Sequence, residues 1–87
     1  MKQNSDFLLR NVADSDVLVP VGAAASLGGM ISLNAVGCYI WELLETEQTA
    51  ESLAEALVQR YEVTYEKALE DVQRFVGLLE SAGAVVE

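Results

Sequence analysis

At 87 residues the chain is expected to form one domain over residues 1–87, where a multi-part active site is cramped; 52% apolar and 22% charged residues exclude a disordered chain. Five basic residues against fourteen acidic ones leave a formal charge of −9, which repels phosphate backbones and anionic membrane surfaces, so neither nucleic acid nor membrane is an expected partner. One cysteine and no histidine exclude an internal disulfide and a Cys/His metal site.

No apolar run approaches the roughly 20 residues of a bilayer span. The opening residues, Met1 to Asp6, lack the apolar segment of a signal peptide, so the cytoplasm is the expected compartment.

Phe7 to Val12 and Val17 to Val21 are rich in β-branched and large apolar residues, and Ala13-Asp14-Ser15-Asp16 between them has turn chemistry, which predicts a hairpin. Pro20 has no amide hydrogen for a ladder bond, so the second strand either turns that position outward or ends there. Ala23 to Leu27 reads as a loop or a single helical turn, broken by Gly28-Gly29 before a third predicted strand, Met30-Ile31-Ser32-Leu33.

Asn34 is placed to cap a helix over Ala35 to Leu44, in which Gly37 permits close packing and Trp41 belongs to the core. Thr49 caps a second helix whose residues Ala50, Leu53, Ala54, Leu57, Val58 and Tyr61 share one face. Thr64 caps a third, where Tyr65, Ala68, Leu69, Val72, Phe75, Val76, Leu79 and Ala82 form a broad stripe and Gly83 ends the helix. Ala84-Val85-Val86 either adds a short strand or packs beside that helix. Three strands followed by three helices predict an α+β fold of the winged helix-turn-helix type.

Leu18-Val19-Pro20, Ile31-Ser32-Leu33-Asn34, Gly37 and Ile40-Trp41-Glu42-Leu43-Leu44 resemble the PqqD-like family. The resemblance continues through Thr49, Leu53, Leu57, Tyr61, Val63, Glu66, Ala68, Asp71-Val72, Phe75, Leu79 and Gly83, covering roughly residues 6 to 86. It implies a non-enzymatic adaptor, a RiPP recognition element, that binds the leader segment of a ribosomally made precursor peptide. The leader is then presented to a modifying enzyme of the radical SAM or leader peptidase type. Members serve pyrroloquinoline quinone synthesis, or lasso-type and thioether-bridged peptides; the acidic excess favours a general leader-binding paralogue.

The resemblance further implies that the leader adds as a strand beside Met30, Ile31, Ser32 and Leu33 and lies against the third helix. An edge strand offers backbone groups with little sequence demand, and nearby pockets supply selectivity. On that helix Leu78 falls off the core stripe, on one face with Lys67, Asp71 and Arg74 and with Phe75 at its border. These residues read either as an exposed ion-pair face with an incidental leucine or as the wall of the peptide cleft, with the two bases meeting an acidic leader side chain. The family's docking mode favours the wall.

Cys38 has no histidine or cationic run beside it and reads as a packed hydrophobe. Paired acids such as Glu66 and Glu70 read as solvated helix faces, and no cofactor or catalytic residue is expected. A winged-helix DNA-binding regulator is an alternative that the charge opposes. A small acidic carrier protein is another, with Ser26-Leu27 as its one tempting attachment site, but no aspartate precedes that serine.

Overall fold

The computed structural model describes residues 1–22 and 30–86. The alternatives for Ala23 to Leu27, the Gly28-Gly29 break and the carrier-type Ser26 lie outside the described residues. The elements are β1 (Lys2–Gln3), β2 (Phe7–Val12), β3 (Ser15–Pro20), β4 (Ile31–Leu33), α1 (Ala35–Leu43), α2 (Ala50–Arg60), α3 (Tyr65–Ala82) and β5 (Val85–Val86). They make an α+β fold with an antiparallel sheet in the order β2-β3-β4 and three helices, consistent with a winged-helix-like arrangement.

The hairpin turn is shorter than the four residues the sequence predicts. Ala13 and Asp14 both have positive φ, 51° and 66°, as a two-residue type I′ turn requires, so Ser15 and Asp16 join β3 and pair with Val12 and Asn11. At the other end Val21 donates its amide to the Asp6 carbonyl at 2.7 Å. Amide directions alternate along a strand, so the missing Pro20 donor falls on the β4 side, beyond the last β3–β4 pair at Leu18 and Ile31. Proline therefore sits in a central strand without orphaning a carbonyl of β4.

Each helix begins at its predicted cap. Asn34 accepts from the Gly37 amide, Thr49 forms a reciprocal box with Ser52, and Thr64 accepts from the Lys67 amide. Gly83, at φ 79°, closes α3 in the left-handed conformation, and α1 ends one residue short of the expected Leu44, which serves as its C-cap.

Leu18, Ile40, Trp41, Leu44, Leu53, Leu57, Val72, Val76 and Leu79 meet in one buried core. Two residues of the predicted stripes escape it: Val58 and Tyr65 are exposed, near helix ends where the packed neighbours no longer cover them.

Neither β1 nor the outcome at Ala84 to Val86 is evident from periodicity. Lys2 and Gln3 pair antiparallel with Val86 and Val85 in a separate two-stranded sheet. Gln3 and Asn4 extend this stitching through their side chains: Gln3 Nε2 donates to the Trp41 carbonyl at 2.6 Å and Asn4 Nδ2 to the Gly83 carbonyl at 2.8 Å. The N-terminal segment thus bonds to carbonyls at the end of α1 and at the cap of α3, adding to the Leu44 amide that Trp41 already accepts, and it ties those two helix ends together.

Candidate functional site: a groove between α1 and α3 at the end of the edge strand

β4 lies at one edge of its sheet, and among the described residues nothing pairs with its outer side. Its side chains are committed in different ways: Leu33 is buried, Ile31 is half-buried and Ser32 is exposed. What the strand offers a partner is therefore backbone. Met30 is not part of this strand, contrary to expectation; it stands just before it, 67% exposed and unpaired. β3 has already passed its last β4 pair at that level, so the ladder has nothing to hold Met30.

Immediately after Leu33 the chain enters α1, and here α1 and α3 enclose a groove of about 360 Å³ lined by Asn34, Val36, Gly37, Ile40, Asp71, Arg74, Phe75 and Leu78. Such a volume is at the small end of ligand pockets, suited to one or two side chains rather than a large cofactor. Its walls are mainly apolar. Leu78, 59% exposed, stands at its open side, and half-buried Phe75 joins the wall to the core.

Of the predicted site residues, Asp71, Arg74, Phe75 and Leu78 line the groove. Lys67 reaches it only through an ion pair with Asp71 at 3.2 Å. Met30, Ile31, Ser32 and Leu33 do not line it; they occupy the edge strand and the residue before it. Sequence reasoning misses the other wall: Asn34, Val36, Gly37 and Ile40. Their spacing at positions 36, 37 and 40 marks one helical face, but a capping residue and a core helix supply a complete explanation by themselves.

The charges at the rim are mutually paired. Lys67 Nζ lies 3.2 Å from Asp71 and 3.9 Å from Glu70; Arg74 lies 3.1 Å from Glu70 and 3.8 Å from Asp71. Two bases and two acids leave this face without net charge. All four side chains are substantially exposed, so each pair contributes little to stability, of order 0–1 kcal/mol. Glu70, read from the sequence as a solvated acid, is exposed and is also part of this ladder.

Cys38, on α1 outside the groove lining, is half-buried. Burial pushes its thiol up to about 11, helped by a hydrogen bond to Asp16 and by the negative charges of Asp16 and Glu42. A thiol held protonated this firmly is a poor nucleophile at neutral pH. Among the described residues no cluster of His, Cys, Asp and Glu is arranged to hold a metal, and no helix is long and apolar enough to cross a membrane.

Two solved structures share this fold. One, described as TbiB1 in complex with the TbiA(beta) leader peptide, is 26% identical and superposes with a TM-score of 0.77 over 97% of this chain and 93% of its own. The other, lasso peptide synthetase B1 complexed with the leader peptide, is 20% identical with the same TM-score of 0.77, over 99% and 96% of the two chains; at that identity it speaks to fold alone. No curated protein matches the chain by sequence. The family model for coenzyme PQQ synthesis protein D (PqqD) matches residues 13–85, which takes in the hairpin turn and β3, the edge strand, all three helices and both walls of the groove. The chain belongs to the PqqD family.

Proposed function

We propose that the chain, over residues 1–87, is a single non-catalytic binding module that holds the leader segment of a ribosomally made precursor peptide and presents it to a modifying enzyme in the cytoplasm. The observation that carries this reading is the free edge of β4 leading directly into the α1–α3 groove. A leader extended along Ile31 to Leu33 satisfies backbone donors and acceptors on both sides, which gives affinity without demanding particular residues. As it passes Asn34, a side chain of the leader turns into the groove against Phe75 and Leu78, which gives selectivity.

Asp71 holds Lys67 and Arg74 at the rim, where they are available to an acidic leader side chain that competes with Glu70. Because those bases are already paired, the electrostatic share is modest and salt-sensitive. The solved complex of TbiB1 with a leader peptide supports this reading, and so does PqqD family membership. The modifying enzyme is of the radical SAM or leader peptidase type.

Calorimetry with the leader and the core of a precursor encoded beside this gene, titrated separately, tests the proposal. The leader binds and the core does not. Equal binding of both, or of neither, overturns it.

A further inference from the structure

The tightest approach between the two walls of the groove is at Gly37. A Cβ built there lies 3.3 Å from both Cε1 and Cζ of Phe75 and 3.4 Å from Asn34 Oδ1. Carbon atoms prefer separations of about 3.5–4.0 Å, so a methyl group at this position must displace something. Asn34 is not free to retreat, because its Oδ1 accepts the Gly37 amide at 2.8 Å as the cap of α1. The edge of the Phe75 ring is the movable part. Gly37 itself has an ordinary helical backbone, so no turn or positive φ calls for a glycine here. Helical backbone ordinarily favours alanine over glycine. What the glycine supplies is room for the ring.

We infer that Gly37 and Phe75 together are the specificity-determining pair of the groove: the absent side chain at 37 lets the Phe75 ring seat against α1, and this seat sets how large an apolar side chain the groove admits. The inference rests on the groove receiving a side chain of the leader. A methyl at 37 takes space from the groove and turns the ring from its seat, so it excludes an aromatic side chain while still admitting a small branched one. Selectivity then lies in the α1 wall as much as in α3, although α1 carries no charge or exposed aromatic on its groove face to announce it.

N-acetyl-phenylalanine amide and N-acetyl-valine amide serve as probes, read by the initial slope of the residue-37 amide shift with probe concentration in ¹H–¹⁵N NMR. For the native protein the phenylalanine slope exceeds the valine slope. In Gly37→Ala the ratio of the two falls roughly fivefold, the scale on which apolar pockets discriminate by a carbon or two. Adding Phe75→Leu to that variant restores the ratio to within about twofold of native by relieving the contact. Phe75→Leu alone, which does not depend on folding of the alanine variant, raises the ratio. A general loss of packing lowers both slopes together and overturns the pairing, as does a ratio unchanged in any of the three variants. Absence of any shift at residue 37 in the native protein also overturns it. Strand addition along β4 is then judged separately by the edge-strand variants, so the two ideas can fail independently.

Discussion

β2 and β4 flank the same central strand, and as backbone the two edges offer equivalent hydrogen-bonding groups to an incoming chain. β2 is the longer, at six residues against three, and carries exposed apolar side chains at Leu8 and Val12, the latter 55% exposed. By length and hydrophobicity it is the better template. It runs, however, into a two-residue turn whose tip stands free, whereas β4 runs into α1 and its groove. Free backbone at an edge is not enough to make a selective site; the difference lies in what waits at the end of the strand.

The sharpest way to break this comparison is proline on each edge. Ser32→Pro, which removes the β4 amide that points away from β3, abolishes leader binding provided the variant remains folded by circular dichroism, while Ser32→Ala changes it little because the backbone is intact. The matching substitution on β2, Asn11→Pro, whose amide also points away from β3, leaves affinity within about twofold. Loss of binding from the β2 variant alone would put the leader on the other edge.

Next in size is Leu78→Ala. If the side chain is desolvated by the leader, calorimetry registers a loss of about 1–3 kcal/mol in binding. Unfolding of the free protein shifts by no more than about 0.5 kcal/mol, since the side chain is 59% exposed there. Val12→Ala, equally peripheral to folding but on the β2 side, has no effect on binding. Equal losses from the two would erase the distinction between the edges.

Smaller still is reversal of Lys67 and Arg74 to glutamate. It slows association more than it speeds dissociation, by less than about 1 kcal/mol in total, and the effect fades at high salt. Stopped-flow binding at two ionic strengths measures it, with Glu66→Ala, on the far side of α3, as control. A loss at Glu66 without change at the bases moves the peptide to the opposite face of the helix.

The last effect is on stability and not on binding, at Cys38, outside both edges. The unfolded thiol releases its proton near its ordinary value of 9.0, whereas the folded one holds it until about 11. The folded state therefore binds more protons between those values, and stability falls as pH rises through that window. Thermal unfolding at pH 8 and pH 10 shows a small decrease that Cys38→Ser removes. Rapid alkylation of the folded protein at pH 8 contradicts the protected thiol.

Local chemistry was legible from the residues alone. Asn34, Thr49 and Thr64 cap helices because a short side-chain oxygen beside an orphan amide is an interaction within a few residues. The same holds for Gly83, and the helical stripes place Trp41, Val72, Val76 and Leu79 in the core by spacing. The α3 half of the groove was readable too, since Leu78 breaks the stripe and so stands out. Tertiary structure alone decided three things. Lys2–Gln3 pairs with Val85–Val86 across nearly the whole chain, and strands of two residues have no period to recognise. Ala13 takes a positive φ because the strand register demands a two-residue turn, although alanine has no preference for it. Gly37 meets Phe75 because two helices distant in sequence are brought side by side, and a missing Cβ leaves no mark on hydrophobic periodicity. Position along one helix can be read from spacing, but the distance between two helices is set by everything packed around them.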